Sequence, residues 1–381
     1  MLSVPFHRVE LSSAEIEEVV SVLRSGWLTT GPKVLALEEW LAERDRTRAV
    51  ATASCTHALE GALLAAGVGP GCEVITTALT FTATTAAIVR TGATPRWVDV
   101  DRRTGNVTPS GIEKALTART KAVLTVDYGG HPVDYPEIAR VCGDRGIRFV
   151  SDAAHSFGAT VGGLPLAPFT DAICYSFYAT KNVAGGEGGA VCTVHDEWAE
   201  FLRRWRLHGL SSGAEDRYRT GGVSYDVTML GAKANMTDIT AALVLAQAGR
   251  EPELRARRKA IAASYLTSLA DLPGLELPAG CPGHAWHLFP VRVSPDVRND
   301  FVGELAERGV ATSIHFRPVH QMTYWRRALA PAVDLAETER WGASAVSLPI
   351  FSAMRPDEIA HVVEVVRDVA RLFGGTVEHR S

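Results

Sequence analysis

Along the first half of the chain, helix-like segments alternate with short apolar runs. The sequence Ser-Ser-Ala-Glu at 12–15 is a capping box, an apolar stripe from Ile16 to Leu23 follows it, and Gly26 predicts the end of that helix. A second helix is predicted at 56–66. The apolar runs of strand length are 74–76, 97–100, 122–126, 149–150, 173–175 and 190–192. Runs that are apolar throughout are typical of strands buried on both faces, so we predict a mainly parallel α/β sheet covered by helices.

The second half of the chain has a different pattern. Residues 205–232 are polar and glycine-rich without a firm period, which predicts a long functional loop. We expect a helix over 236–263 to lead into a second domain. Strands at 288–293, 312–316 and 345–348, with a last helix over 356–373, predict a small antiparallel sheet with helices on one side. The predicted division is a large domain of residues 1–245, with an N-terminal arm, and a small α+β domain of residues 246–381.

Composition narrows the class of protein. The chain has 381 residues, 46% of them hydrophobic, and can bury a large core. The net charge of −4 argues against nucleic acid and anionic membranes as partners. No apolar run approaches the roughly 18 residues of a membrane span, and the N-terminus lacks a signal-peptide pattern. The six cysteines are scattered without C-x-x-C spacing, so we expect reduced thiols in a cytoplasmic protein.

Two titratable residues stand where strands of the predicted sheet end. Lys181 lies between the apolar run 172–175 and the glycine cluster 185–189, and Asp152 ends the run that begins at Ile147. A lysine that forms a Schiff base and an aspartate that holds a pyridinium nitrogen are the groups that pyridoxal phosphate (PLP) chemistry requires. The spacing leaves room for one further strand, so we expect both side chains at the same edge of the sheet.

A third feature predicts a phosphate site. Ser54, Cys55 and Thr56 open the helix predicted at 56–66. The first turn of a helix has free backbone N–H groups and the positive end of the helix dipole, and both favour an anion. An N-cap serine without a ligand is the alternative interpretation.

On these residues the chain resembles the DegT/DnrJ/EryC1/StrS family of PLP-dependent sugar aminotransferases. The matching stretches extend over nearly the whole length, at 25–33, 152–155, 176–177, 180–182, 186–189 and 231–238. The resemblance implies PLP fold type I, the aspartate aminotransferase-like fold. The stretches at 208–210, 284–289, 315–320 and 347–349 are most similar to the enzyme that aminates UDP-4-keto-arabinose. The start at 54–56 is similar to the dTDP-4-keto-6-deoxyhexose 4-aminotransferases.

The resemblance also implies roles for individual residues. Lys181 and Asp152 are the implied catalytic pair, and Lys181 also moves the proton between the substrate and the cofactor. The implied cofactor-binding residues are Ser54, Cys55, Thr56, Phe81, Asp152, His155, Ser176, Lys181 and Asn235. Asn235 corresponds to a residue that reaches the phosphate of the neighbouring subunit, which implies a homodimer with shared active sites. Lys233 stands where many relatives have asparagine, so the sequence leaves open which of the two makes that contact.

At the substrate end the implied residues are Trp27, Thr29, Lys33, His315, His320 and Tyr324. Surface polar residues are the alternative interpretation of that set. Pairs of histidines such as His284 and His287 lack a nearby third ligand at a known zinc spacing, so we expect no metal.

The resulting expectation is transamination of a nucleotide-linked 4-keto sugar (UDP or dTDP), with glutamate as amino donor and a 4-keto-pentose as the favoured substrate. A 6-deoxyhexose is the alternative. A sugar dehydratase of the same fold is disfavoured, because it has histidine in place of Lys181. A binding subunit that has lost catalysis is also disfavoured, because it does not need an intact Asp152 and Lys181. The stretch 209–213 matches G-x-S-x-G, but the hydrolase elbow requires a strand before its serine, and a basic helical pattern stands there instead.

Overall fold

The structure is a computed structural model that describes residues 2–211, 226–329 and 334–374. Within these ranges the strands are β1 (Arg48–Thr52), β2 (Glu73–Thr77), β3 (Thr94–Val98), β4 (Thr120–Val126), β5 (Arg148–Asp152), β6 (Thr160–Val161), β7 (Leu164–Pro165), β8 (Ala172–Ser176), β9 (Gly189–Thr193), β10 (Phe289–Arg292) and β11 (Ala345–Leu348). The α-helices are α1 (Ser13–Ser25), α2 (Pro32–Asp45), α3 (Cys55–Ala65), α4 (Thr82–Arg90), α5 (Pro109–Ala115), α6 (Tyr135–Gly143), α7 (Asp196–Trp205), α8 (Asp238–Gly249), α9 (Glu251–Ser268), α10 (Arg298–Glu307), α11 (Thr323–Leu329), α12 (Ala336–Ser344) and α13 (Pro356–Gly374).

Seven strands form the main sheet in the order β1-β9-β8-β5-β4-β2-β3. Strands β8, β5, β4, β2 and β3 pair in parallel, whereas β9 runs antiparallel to both of its neighbours. The predicted α/β fold with a mainly parallel sheet is confirmed. Because β5 and β8 are parallel neighbours, their carboxyl ends meet at one edge, and Asp152 and Ser176 are the last residues of these two strands.

The two faces of the sheet are covered by different helices, and alternation along each strand distributes its side chains between them. In β4, Val123 packs on the face with α2 and α6, and its neighbours Ala122 and Leu124 pack on the face with α3 and α7. Every residue of β8 is buried. Because both faces of such a strand are buried, its sequence is apolar without a break, and this run is what predicted the strand.

The C-terminal region has a core of its own, which α9, α10, α13, β10 and β11 build together with Val4 from the N-terminus. The predicted strand at 312–316 is wrong, because only Ser313 pairs with β11, through two backbone hydrogen bonds to Ser347 of 2.8 and 3.2 Å. Beyond Ser313 the chain leaves this sheet, and the Tyr128 hydroxyl donates a hydrogen bond to the carbonyl of His315.

The predicted helix at 236–263 is two helices, α8 and α9, with Arg250 between them at φ −97° and ψ 0°. Pro252 is the second residue of α9. Proline has no N–H to bond a carbonyl one turn earlier, and its ring collides with that carbonyl, so a continuous helix through this position is disfavoured.

Helix α1 begins with the predicted capping box. Ser12 caps it, and the Glu15 carboxylate accepts a 2.7 Å hydrogen bond from the Ser12 N–H. The predicted apolar stripe is only partly covered, because Val19 and Val20 are half-buried whereas Ile16 is 49% and Leu23 53% exposed. Glu15 is buried instead, where its carboxylate also forms an ion pair with Arg250 at 3.0 Å. An exposed apolar row on the first helix is a candidate contact surface.

Candidate active site

A cavity of about 520 Å³ lies at the carboxyl edge of β5 and β8. It brings together most of the residues that the sequence proposes for the cofactor. Its predicted members are Ser54, Cys55, Thr56, Phe81, Asp152, His155, Ser176, Lys181 and His315. The same cavity is also lined by residues that were not predicted to belong to the site, among them Thr80, Tyr178, Thr180, His287 and Phe316.

Lys181 lies in the turn after β8, where its backbone N–H donates a 2.8 Å hydrogen bond to the carbonyl of Tyr178. Part of its side chain is accessible along the cavity, yet the surrounding protein removes most of the water from its amino group. This burial lowers the pKa of Lys181 to about 8, although the Asp152 carboxylate favours the charged form. A larger share of neutral amine near neutral pH makes Lys181 a stronger nucleophile than a surface lysine.

Asp152 is 6% exposed and is held by two hydrogen bonds. The Thr84 hydroxyl donates to Oδ2 at 2.7 Å, and the backbone N–H of Ala154 donates to Oδ1 at 3.2 Å. Burial raises the pKa of Asp152, an effect that the Thr84 and Ala154 hydrogen bonds and the charge of Lys181 partly offset. A buried carboxyl in this state is stabilised as an anion when a cation binds directly beside it.

The other end of the cavity is the first turn of α3. Ser54 is its N-cap, and its hydroxyl accepts a hydrogen bond from the His57 N–H. Cys55 and Thr56 come next, and as first-turn residues their N–H groups have no helical carbonyl to bond. Strand β9 passes so close that a Cβ on Gly189 lies 2.5 Å from the Cys55 nitrogen. Glycine at 189 therefore permits the backbone contact that fixes this turn beside the cavity.

Three histidines, His155, His287 and His315, line the cavity. His155 is 7% exposed, and its buried Nδ1 has no hydrogen-bond partner among the described residues. Its ring lies 5.7 Å from that of Phe316, nearly parallel to it, and 4.5 Å from that of His287. The His315 ring is held by a 2.9 Å hydrogen bond between Nδ1 and the Ser347 hydroxyl. Burial is the main cause that lowers the pKa of each of these three histidines, and it lowers that of His315 to about 4. Each imidazole is therefore neutral at pH 7.

Aromatic rings stand at the mouth of the cavity. Phe81 is 59% exposed and lies 6.2 Å from Phe316, and Tyr178 is 47% exposed. Rings that line a cavity without being buried are available to stack on a planar ligand.

Asn235 and Lys233 are outside this cavity. The Asn235 amide donates a 2.8 Å hydrogen bond to the Thr30 hydroxyl, which donates in turn to the carbonyl of Met236 at 2.7 Å. The Asn235 backbone pairs with Thr52, two residues before the N-cap of α3. Lys233 is exposed. Neither side chain reaches the cavity of its own chain.

The entrance residues Trp27, Thr29 and Lys33 also lie away from the cavity. The Trp27 indole N–H donates to the Thr30 carbonyl at 3.1 Å, and Lys33 forms an ion pair with Glu18. This loop is fixed by Asp238, whose buried carboxylate accepts hydrogen bonds from the N–H groups of residues 31, 33 and 34. Because that carboxylate caps the N-terminus of α2, the family motif at 231–238 has a structural role here.

His320 and Tyr324 are not brought to the cavity either. His320 Nε2 lies 2.9 Å from Oε1 of Glu339, and its ring packs near that of Trp97. Tyr324 is 66% exposed and packs edge-on against Trp325. Of the two predicted histidines at the substrate end, His315 alone faces Lys181.

Other interpretations find little support in the described part of the chain. No group of three or more His, Cys, Asp or Glu side chains converges there as metal ligands. Ser212, Gly213 and residues 214–225 of the predicted loop lie outside the described residues. Ahead of Ser211 stands helix α7 rather than the strand of a nucleophile elbow. None of the described helices combines the length and apolar character needed to cross a bilayer.

These residues fit pyridoxal phosphate. A buried carboxyl with a raised pKa is stabilised as an anion by a neighbouring cation, which a protonated pyridine nitrogen would provide. The free N–H groups of α3 suit a phosphate, and a lysine with a lowered pKa suits an aldehyde. The buried Nδ1 of His155 has no hydrogen-bond partner among the described residues, so a polar atom of a bound cofactor can pair with it. Fold and cavity together define the aminotransferase class of fold type I.

The chain belongs to the DegT/DnrJ/EryC1/StrS aminotransferase family, whose model matches residues 9–367. It is 39% identical over 377 residues to the spore coat polysaccharide biosynthesis protein SpsC of Bacillus subtilis, a match that covers 96% of this chain and 97% of that protein. The predicted family and the predicted enzyme class, an aminotransferase, are therefore confirmed.

Solved structures agree with this assignment. The putative sugar aminotransferase Spr1654 of Streptococcus pneumoniae in its PMP form superposes with a TM-score of 0.91 at 32% identity, over 97% of this chain and 99% of that one. PseC of Helicobacter pylori, an aminotransferase involved in the biosynthesis of pseudoaminic acid, has a TM-score of 0.91 at 25% identity, over 98% and 100%. Spr1654 is also known in a PLP form, which supports pyridoxal phosphate as the predicted cofactor.

Proposed function

We propose that this protein transfers an amino group from glutamate to the keto carbon of a nucleotide-linked 4-keto sugar. One observation carries the proposal: Lys181, with a pKa lowered to about 8, shares a cavity with the buried carboxyl of Asp152. When bound, pyridoxal phosphate supplies an electron sink that stabilises negative charge on the carbon losing its proton. Asp152 would hold the proton of the pyridine nitrogen, and the first turn of α3 would bind the phosphate. Lys181 would carry the proton between the substrate carbon and the cofactor carbon on the other side of the transferred nitrogen.

A 4-keto-pentose is the sugar that we favour. The stretches at 284–289 and 315–320 resemble the 4-keto-pentose enzyme, and each contributes a side chain to the cavity, His287 and His315. The stretch at 54–56, which resembles the hexose enzymes, lies at the phosphate end and does not bear on the sugar. A pocket shaped for a pentose lacks room for a C6 methyl, a difference worth roughly 1 to 3 kcal/mol.

We further propose a homodimer with shared active sites. Leu230 is 93% and Val227 57% exposed, and they precede Asn235 on one segment. Asn235 is fixed next to the start of α3 but does not enter its own cavity, a placement that suits a residue serving a second subunit. All six cysteines are free thiols, which fits a reducing compartment such as the cytoplasm.

A panel assay tests the reaction. The enzyme with bound cofactor is given glutamate and a set of nucleotide 4-keto sugars, pentoses and 6-deoxyhexoses on UDP and dTDP, with mass detection of the amino product. We expect the highest kcat/KM for a 4-keto-pentose, by roughly 10- to 200-fold over its 6-deoxyhexose counterpart. A hexose preference above about tenfold overturns the choice of sugar alone, and amination of no member of the panel overturns the proposed reaction.

A further inference from the structure

His287 reaches the cavity from an unusual turn in the loop 284–288. Trp286 has φ 49°, in the left-handed region that a residue with a large side chain rarely adopts. His284 supports the turn, because its Nδ1 accepts a 2.9 Å hydrogen bond from the Trp286 N–H and its ring stacks on the indole at 3.8 Å. Strain of this kind persists where the surrounding structure fixes the backbone, and it concentrates at functional sites.

The same loop is tied to the large sheet. The N–H groups of Ala285 and Leu288 donate to the carbonyls of Gly130 and Gly129, which follow β4, at 2.9 and 3.0 Å. Gly130 has φ 94°, and a Cβ there lies 2.8 Å from the His155 carbonyl and 3.1 Å from the His287 nitrogen. A glycine at this position therefore allows His155 and His287 to approach each other from different parts of the chain.

The protonation state of the His287 ring follows from its partner. The Asn182 amide donates through Nδ2 to the Ala285 carbonyl at 3.0 Å, so its Oδ1 faces His287 Nδ1 at 3.1 Å. An amide oxygen only accepts, so the imidazole hydrogen is on Nδ1. The other ring nitrogen, Nε2, is then a lone-pair acceptor, and no described residue donates to it. Asn182 directly follows Lys181, and the His287 ring lines the same cavity as that lysine.

We propose that His287 Nε2 binds the sugar by accepting a hydrogen bond from the hydroxyl beside the reacting carbonyl. This inference rests on the proposed function, because in a 4-keto-pentose or a 4-keto-6-deoxyhexose that hydroxyl is the one on C3. The neutral ring has the acceptor that a hydroxyl needs, and burial keeps it neutral across the physiological range. His287 thus selects sugars that carry a hydroxyl at this position, and it plays no part when the amino donor is bound.

The test separates the two halves of the reaction in single-turnover experiments on the enzyme with bound cofactor. His287→Phe keeps a flat ring but removes both nitrogens, and His287→Gln keeps an acceptor near the position of Nε2. We expect His287→Phe to lower kcat/KM for the keto sugar roughly 10- to 100-fold and to change the glutamate half-reaction less than about threefold. His287→Gln recovers part of the loss. His361→Phe, a histidine outside the cavity, leaves both half-reactions unchanged.

A substrate analogue without the C3 hydroxyl completes a double-mutant cycle. We expect this analogue to lower kcat/KM of the wild type by a factor similar to the one that His287→Phe causes. In His287→Phe itself, the analogue is expected to cause no further loss. Binding of an unreactive analogue, with a hydroxyl in place of the ketone, weakens by a similar factor in His287→Phe. If the losses from the analogue and from His287→Phe multiply, or if both half-reactions lose equally, the inference is wrong. The proposed aminotransferase activity is unaffected by either result. A wild-type enzyme that accepts the amine from glutamate and aminates no keto sugar overturns the proposed function and this inference with it.

Discussion

The hydroxyl of Thr84, on the helix that begins directly after Phe81, donates a 2.7 Å hydrogen bond to Oδ2 of Asp152 at the end of β5. This contact fixes one carboxylate oxygen of Asp152, the residue that we propose to pair with the cofactor nitrogen. The same helix thus orients the carboxylate and presents the aromatic ring at the mouth of the cavity.

Asp152→Asn is expected to lower kcat by roughly two to four orders of magnitude. A preorganised charge of this kind contributes roughly 3 to 5 kcal/mol to barrier lowering, and the amide does not hold a proton on the pyridine nitrogen. Steady-state kinetics with the preferred sugar measure the loss. Thr84→Val, which removes only the orienting hydroxyl, is expected to cost about tenfold or less. A loss below tenfold in Asp152→Asn means that this residue is structural.

Lys181→Ala is expected to abolish transamination and the absorbance band of the Schiff base between Lys181 and the cofactor, while the protein still folds. No other amine is predicted to take over its covalent role in this cavity. Product formation by mass detection and the absorbance spectrum check the two effects. Lys121→Ala, at an exposed position, serves as the matched control and keeps full activity. Near-normal turnover in Lys181→Ala contradicts the assignment.

The pH dependence of cofactor uptake is set by Lys181. Only the neutral amine attacks the aldehyde, and the pKa of Lys181 is lowered to about 8 by burial. The rate at which cofactor-free protein takes up pyridoxal phosphate is therefore expected to rise with pH and to level off above about pH 8. Stopped-flow absorbance from pH 6.5 to 10 measures this rate. A rate that still climbs toward pH 10 indicates an ordinary lysine.

The proposed sharing of active sites predicts rescue between inactive subunits. Asn235→Ala alone is expected to be nearly inactive, as is Lys181→Ala. In a hybrid dimer, one site combines Lys181 of one chain with Asn235 of the other, so about half of the hybrid sites regain activity. Native mass spectrometry quantifies the hybrids, and the amino product is measured in the same samples. Hybrids without activity show that Asn235 does not serve the partner.

Asp127 gives a prediction for stability. Burial raises the pKa of this carboxyl to about 6, despite hydrogen bonds from Ser156, Tyr135 and Val133. Between about pH 4 and 6 the folded protein keeps a proton that the unfolded chain has released, so this group lowers the unfolding free energy as pH rises. Relative to Asp127→Asn, the wild type is expected to lose about 2 kcal/mol from pH 4 to 7. Urea unfolding of both proteins checks this, and a constant difference contradicts it.

Much of the large sheet was predictable, because strands buried on both faces are apolar without a break. The same rule placed Asp152 and Lys181 at one edge. Strand β1 was missed because Arg48–Thr52 is short and rich in alanine, so it has little β-propensity of its own. It forms because β9 pairs with all five of its residues.

The missed part of the site depends on contacts between distant residues. Nothing in the local sequence indicates that Trp286 is left-handed or that His287 meets Asn182, since both features arise where the loop docks on Gly129 and Gly130. His320 was predicted as a site residue because it belongs to the stretch 315–320, which as a whole resembles relatives. The chain turns within that stretch, so His315 lines the cavity whereas His320 pairs with Glu339 outside it.

The contact between Gly189 and the start of α3 determines which positions tolerate change. The Cys55 side chain is buried in the apolar core, where its thiol donates a hydrogen bond to the Cys174 carbonyl at 3.7 Å. At Gly189 a single methyl group enters the space of the Ser54 and Cys55 backbone. An engineer who reshapes the cavity must therefore keep residue 189 as glycine. The smallest residue near the site is also the one that leaves the least freedom for redesign.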